Sequence, residues 1–390
     1  MTNQPFDPAS LYNLDAVLSE PERQAREAAQ TFVAEFIRPD VTSWYDSGNP
    51  PVRDLAKQLG SRGMLGMHLT DYGCAGATAT EYGLTCLELE AGDSGIRSLV
   101  SVQGSLAMHA IHAYGAESLR EQWLPGLAAG DLIGSFALTE PDVGSNPAEM
   151  RTTARQDGSD WVLTGEKAWV TNGPVADVIV VWANSPDGVR GFAVPAATSG
   201  VELLDVPGKM SLRASATAHL RLTDVRVPAD ALLDVVGLRG PLSCLNEARF
   251  GIVFGALGAA MDCLQSALDY SLARKQFDKP IAGFQLTQQK LADMAVALGN
   301  GMLLAIHLGR LKEQGALRPQ QISAGKLNSA RTALDIARKS RTILGANGVT
   351  AAHPVMRHAN NLESVVTYEG TAEMHTLVVG QALTGIAAFE

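Results

Sequence analysis

The 390-residue chain has little charge, few aromatic rings and only four cysteines. Asp, Glu, Lys and Arg make up 18% of it, below the roughly 25% of ordinary soluble domains, so much of the surface is expected to be covered, most simply by further subunits. Basic residues are outnumbered 31 to 41, which leaves a formal charge of −10 and excludes the broad basic face of a general nucleic-acid binder. An anionic ligand must then be held by local Arg, Lys or helix N-termini, against the overall field. Cys74, Cys86, Cys244 and Cys263 are far apart and form no CxxC pair, so neither a disulfide framework nor a metal site is expected. Each reads as a small core residue in a reducing compartment. No uninterrupted apolar run reaches the ~18 residues of a membrane helix, so no membrane insertion is expected. Residues 1–20 carry three acids and no Lys or Arg, unlike a signal or transit peptide, and a cytoplasmic location is the expectation. GxGxxG after a strand, GxxxxGK[ST], HExxH and GxSxG are all missing, so a nucleotide cofactor has to be held by something other than a Rossmann turn.

What is present falls into three zones, read as domains over 1–131, 132–238 and 239–390. The first is helical: Glu20-Pro-Glu-Arg23 has the acid and proline of a first turn, and Leu84, Leu87 and Ala91 recur at helical spacing. The second is a series of short β-rich runs. Trp161–Thr164 stops at Gly165, Asp177–Ala183 stops at Asn184, Gly191–Val194 stops at Pro195, and Ala218, Leu220 and Leu222 alternate with polar residues. The third is helical again, with Leu291, Met294, Leu298 and Met302 on one stripe, and Leu245–Gly251 reads as the opening of its first helix. The fold class is α+β: an N-terminal helical domain, a middle β-sandwich or barrel, and a C-terminal four-helix bundle.

Four segments carry the chemistry: Phe136–Ser145, Trp169-Val-Thr-Asn172, Arg274-Lys-Gln-Phe277 with Pro280-Ile281, and Tyr368-Glu-Gly-Thr371. In this order and in these zones they resemble the acyl-CoA dehydrogenase family of flavoproteins, over nearly the whole chain. The resemblance implies FAD as cofactor, an acyl-CoA substrate, an electron-transfer flavoprotein as acceptor, and a homotetramer. It makes Glu369 the base that removes the proton α to the thioester, and burial is expected to raise its pKa toward a useful range. For FAD it implies Phe136, Leu138, Thr139, Gly144, Ser145, Trp169, Thr171, Arg274, Gln276, Phe277, Gln285, Leu344, Gly345, Thr371 and Glu373. Arg274 and the nearby glutamine are expected to act across a subunit boundary. Ala346 departs from the family pattern, standing where a second glycine is common. For the substrate the resemblance implies Ser145, Leu245, Asn246, Tyr368 and Gly370, with Arg249 matching the family's CoA-side contact.

The stretch Leu89–Gln103 narrows the substrate. An unpaired cation at the end of an apolar tunnel is costly to bury, so Arg97 suits a substrate that itself ends in a carboxylate. The stretch resembles glutaryl-CoA dehydrogenases, as do Ser211–Ser215 and Asn361-Leu-Glu. That resemblance implies that Arg97, Ser98 and Ser101 bind the distal carboxylate with Glu90 nearby, and that Glu90 and Tyr368 favour decarboxylation to crotonyl-CoA. Ile96 is a departure, an aliphatic residue where relatives can carry an aromatic one, with a bearing on how the tail is packed. The alternatives are an Arg97–Asp93 ion pair on one helix face, a dehydrogenase of another short acyl-CoA, or a non-catalytic scaffold of the same fold.

Overall fold

A computed structural model describes residues 11–388. The first half of the 1–20 segment and the last two residues of the third zone lie outside the described residues. Helix α1 (Glu20–Phe32) begins where the sequence predicts, because the Ser19 N–H donates to Glu22 Oε2 at 2.7 Å and Pro21 occupies the first turn. After α2 (Val41–Ser47) and α3 (Val52–Gly60) comes α4 (Ala79–Gly92), buried around nearly its whole circumference. It runs directly into α5 (Ser94–Ser101), a π-helical segment Val102–Met108, and α6 (His109–Tyr114). Helix α7 (Glu117–Ala129) completes the first zone.

The middle zone is one curled seven-stranded sheet, built from β1 (Gly134–Ala137), β2 (Thr153–Asp157), β3 (Asp160–Thr171), β4 (Val178–Ser185), β5 (Gly188–Pro195), β6 (Val201–Asp205) and β7 (Thr217–Val227). The order is β1-β4-β2-β3-β7-β6, with β5 on β4. Strand β1 pairs with β4 in parallel, whereas β3 pairs with both β2 and β7 antiparallel. Strand β3 does not stop at Gly165 as the sequence suggested. It continues for six residues, and the glycine has a different cause: a Cβ there would sit 2.7 Å from Thr152 Cα, on a backbone with φ 150°. The register of β3 on β7 slips twice, after Leu163 and between Lys167 and Val170. Trp169 lies in the second bulge.

The third zone holds α8 (Arg239–Ala273), a small hairpin of β8 (Lys275–Gln276) and β9 (Lys279–Pro280), α9 (Gln285–Glu313), α10 (Pro319–Leu344), α11 (Val355–Val365) and α12 (Ala372–Thr384). Helix α8 starts six residues before the predicted opening at Leu245, so Leu245–Gly251 lies inside the helix, reaching its fourth turn. Met294, Leu298 and Met302 of the predicted stripe are buried, and Leu291 packs against the same core. By length and composition α8 and α9 reach what a bilayer-crossing helix needs, which a search for uninterrupted apolar runs does not register. Helix α8 packs between α4 and α10 as the axis of the core. Cys86, Cys244 and Cys263 are buried there or nearby, Cys74 is half-buried, and all four are free thiols.

Candidate active site

The loop Val366–Thr371 joins α11 to α12 and places Glu369 against α4, α5, α8 and α10. Glu369 has a left-handed backbone, φ 50°, and is followed by Gly370 at φ 93°. Side chains would crowd that turn: a Cβ on Gly370 would lie 2.9 Å from His375 Nε2. Thr371 caps α12, accepting from the Met374 N–H at 3.2 Å. The Glu369 Oε2 atom is enclosed and has no hydrogen-bond partner among the described residues. Burial raises the carboxyl above the usual carboxylate range, against the pull of Arg97, Lys326 and Arg249.

Arg97 is fully buried on α5 and does not pair with Asp93, whose carboxylate is taken by the Gly95 N–H at 2.7 Å, Asn361 Nδ2 at 2.9 Å and Arg357 at 3.0 Å. Its Nε instead donates to Glu90 Oε2 of α4 at 2.7 Å, and its Nη2 to the Tyr368 hydroxyl. Burial disfavours the guanidinium charge, but Glu90 and Glu369 hold it protonated. Nη1 of Arg97, Oε1 of Glu90 and the hydroxyls of Ser98 and Ser101 are buried with no partner among the described residues. Unpartnered donors on the helix that carries this buried cation suit a carboxylate arriving from outside, whereas Glu90 Oε1 is an acceptor that such a group does not satisfy. Ile96 points the other way, into the core cluster that holds Phe32 and Ile37, so the packing of an acyl tail is not its task.

Arg249 of α8 donates from Nε to the Glu369 carbonyl at 2.7 Å and from Nη1 to Asn246 Oδ1 at 3.2 Å. Leu245 is half-buried one residue before Asn246. Two residues that sequence reasoning did not find complete this centre. Lys326 of α10 is buried and donates to the carbonyls of Tyr368 and Gly370. Its signal was present in the sequence as a lysine on the stripe Ile322, Lys326, Ala330, otherwise apolar and buried. Gly255 of α8 faces the carboxylate pair: a Cβ there would lie 2.2 Å from Glu90 Oε2 and 3.3 Å from Arg97 Nε.

A second set of predicted residues lies on the β domain and the hairpin, apart from this centre. Phe136 is buried against Trp182. The segment after it is pinned from β3, by Lys167 Nζ on the Leu138 carbonyl at 3.0 Å and the Ala168 N–H on the Thr139 carbonyl at 2.8 Å. Lys167 also pairs with Glu140 at 2.9 Å, both nearly free of solvent. Gly144 and Ser145 are exposed on the loop that follows. Trp169 has φ 60° and is 59% exposed, an indole turned outward by a bulge, while Thr171 is half-buried at the end of the same strand. Phe277 stands at the tip of the β8–β9 hairpin and is 88% exposed, with Arg274, Gln276 and Gln285 exposed around it. Leu344 is buried at the end of α10, Gly345 follows with φ 59°, and Glu373 is exposed in the first turn of α12. Exposed rings on a bulge and a turn offer faces on which a flat aromatic group can stack.

Three sequence profiles match in order: the acyl-CoA dehydrogenase N-terminal domain over residues 19–131, its middle domain over 135–225, and its C-terminal domain over 236–384. The chain belongs to the acyl-CoA dehydrogenase family. It is 33% identical over 370 residues to the mitochondrial short-chain specific acyl-CoA dehydrogenase of Bos taurus, covering 93% of this chain and 90% of that one. Its fold matches the crystal structure of glutaryl-CoA dehydrogenase from Mycobacterium smegmatis with a TM-score of 0.98 at 60% identity, over 99% of this chain and 100% of that one. A glutaryl-CoA dehydrogenase of the same organism in complex with FADH2 matches with a TM-score of 0.98 at 57% identity, over 99% and 100% of the two chains. The protein is therefore an acyl-CoA dehydrogenase and uses FAD. The predicted Glu90, Arg97, Ser98, Ser101, Asn246, Arg249, Tyr368, Glu369 and Gly370 come together from three helices, α4, α5 and α8, and one loop. The predicted Arg274, Gln276, Phe277 and Gln285 stay outside it in the single chain.

Proposed function

We propose that this acyl-CoA dehydrogenase oxidises glutaryl-CoA and releases crotonyl-CoA and CO2. The observation that carries the reading is the buried Arg97, whose Nη1 has no partner among the described residues, on a helix whose Ser98 and Ser101 hydroxyls are likewise buried and unpartnered. An acyl tail without a free carboxylate leaves that Nη1 without a partner, whereas the distal carboxylate of a glutaryl group supplies one. Bound FAD supplies the acceptor for the β-hydride. Glu369 takes the α-proton, and its raised pKa keeps it near the range where it accepts and returns a proton. Once the α,β double bond is formed, the distal carboxylate leaves as CO2 and its electron pair delocalises into the thioester. The protonated Glu369 then delivers its proton to the terminal carbon, which gives crotonyl-CoA.

The remaining assignments follow the same reading. Arg249, Asn246, Leu245 and Ser145 line the CoA side. Leu138, Thr139, Gly144, Trp169, Thr171, Leu344, Gly345, Thr371 and Glu373 meet the FAD of their own subunit or its neighbour, and Arg274, Gln276, Phe277 and Gln285 reach toward a neighbour's. A homotetramer is supported by the low charge and by the outward apolar side chains Phe277, Leu286, Leu383 and Ile386. Electrons leave to an electron-transfer flavoprotein. A second reading, a dehydrogenase of another short acyl-CoA, is favoured by the 33% identity to a short-chain specific enzyme. Anaerobic mixing with glutaryl-CoA and with butyryl-CoA, followed by product analysis, separates the two. Crotonyl-CoA with CO2 from glutaryl-CoA is the expected outcome. Glutaconyl-CoA as the final product would remove decarboxylation, and faster turnover of butyryl-CoA would remove the carboxylate reading.

A further inference from the structure

Three consecutive carbonyls, those of Tyr368, Glu369 and Gly370, all accept from basic side chains, the buried Lys326 and the half-buried Arg249. Lys326 Nζ takes the first and, at 2.6 Å, the third, while Arg249 Nε takes the middle one at 2.7 Å. Lys326 is 1% exposed, 43 residues from the loop in sequence, and lies 5.6 Å from the centre of the Tyr368 ring. Carbonyls that all point toward cations turn the intervening backbone into its left-handed form at Glu369, a conformation that a residue with a side chain seldom adopts. The consequence is geometrical: both cations bind the backbone, and the Glu369 Oε2 is left free.

We propose that Lys326 is a positioning residue for proton abstraction, holding the turn that presents the Glu369 carboxylate to the substrate α-carbon. An ammonium suits the task because its donors radiate from one atom and can serve two carbonyls that flank a single residue. The inference rests on Glu369 being the base. The charges facing Glu369 are Arg97 of α5, Arg249 of α8, Lys326 of α10 and Glu90 of α4, and His375 of α12 stands beside the turn as a neutral ring. Lys326 favours the ionised carboxylate, so removing it raises the pH at which Glu369 becomes competent.

The test compares Lys326→Met and Lys326→Gln with the wild-type FAD-loaded enzyme and with Glu369→Gln. Readouts are exchange of substrate α-protons with solvent deuterium, kcat and KM separately, and the acid limb of kcat/KM against pH. Lys326→Met is expected to bind acyl-CoA within about threefold of wild type and to lose on the order of 100-fold in kcat. Its acid limb moves up by roughly one pH unit, the size of effect one nearby charge has on a carboxylate. Lys326→Gln, which keeps a donor without the charge, recovers part of kcat but not the acid limb. Wild-type kcat in Lys326→Met would overturn the proposal, as would a fall in kcat with an unmoved acid limb. Failure of both variants to fold and hold FAD would assign the lysine to the core and equally overturn it. Undiminished α-proton exchange in Glu369→Gln would strike the base assignment itself, an outcome distinct from any of these.

Discussion

Glu90 and Arg97 stand seven residues apart on successive helices, meet at 2.7 Å, and expose none of either side chain. Neither is satisfied by the other alone, because Glu90 Oε1 and Arg97 Nη1 both remain without partners among the described residues. The pair is poised for a third group. A pair of this kind, closed on itself, would be a poor source of stability, since desolvation offsets much of the attraction. Its open atoms connect it to substrate choice.

Arg97→Ala tests that connection directly. It removes the cation from Glu90 and leaves a carboxylate buried, a change that costs ~3–5 kcal/mol in comparable sites. Turnover of glutaryl-CoA is expected to fall by at least 100-fold while that of butyryl-CoA falls far less. Steady-state kcat/KM for the two substrates measures the ratio, and an unchanged ratio would count against the carboxylate pocket.

Gly255→Ala tests the same pocket without replacing a charged residue. The new methyl would lie 2.2 Å from Glu90 Oε2, so the carboxylate has to move and its bond to Arg97 breaks. The glutaryl-CoA to butyryl-CoA preference is expected to drop on the order of tenfold or more, equivalent to ~1.4 kcal/mol for each factor of ten. Shortening the carboxylate in Gly255→Ala with Glu90→Asp should restore part of the preference. Competition assays with both substrates read this out.

Glu369→Gln is expected to make the protein more stable as well as inactive. The folded-state pKa of Glu369 is raised above the 4.5 of an unperturbed carboxyl, so folded protein holds this proton more tightly than unfolded protein does. Stability from this group is therefore complete at low pH and declines as pH rises from the unfolded value through the folded one. Glutamine carries no such titration. Thermal unfolding should show a higher Tm for the variant at pH 7–8, converging with wild type below about pH 4, where the unfolded carboxyl is protonated as well.

Lys167→Met tests the β domain. Glu140 keeps its bonds from the Arg151 and Thr152 N–H groups at 2.7 and 2.9 Å but loses its ion pair with Lys167, and the Leu138 carbonyl loses that donor. A stability loss of about 3 kcal/mol is expected from the unpaired buried carboxylate. Weaker FAD retention should accompany it, measured by flavin absorbance after gel filtration.

Phe277→Ala separates the fold of one chain from assembly. A ring that is 88% exposed contributes almost nothing to packing within its own subunit. Unfolding of the isolated chain should be unchanged within ~0.5 kcal/mol. Sedimentation and FAD titration are expected to show weaker association and cofactor binding lowered about tenfold, or ~1.4 kcal/mol.

Much of this was legible from local sequence. The start of α1 follows from Ser19, Pro21 and Glu22, and the alternation at Ala218–Thr223 is seen in β7. Gly165 misled because a glycine in a strand signals close approach as readily as an ending, and here Thr152 lies against it. Leu245 misled because the polar face of α8 begins six residues earlier, at Arg239, with no strong cap to mark it. The Asp93 alternative failed because Asn361 and Arg357, both on α11, claim that carboxylate.

The sequence by itself determined the order of the zones and the family, and it singled out Glu369 and Arg97 as the residues to test. Those features are carried by contiguous segments, in which local spacing and residue type express the chemistry. Only the tertiary structure decided what Arg97 pairs with, why position 255 is glycine, and which side chain holds the turn at Glu369. Each of these depends on α4, α5, α8, α10 and the loop before α12 meeting at one point, across separations of up to 271 residues. Burial at that point leaves water unable to satisfy a polar group, so every donor and acceptor there must find its partner in the packed core or in the substrate.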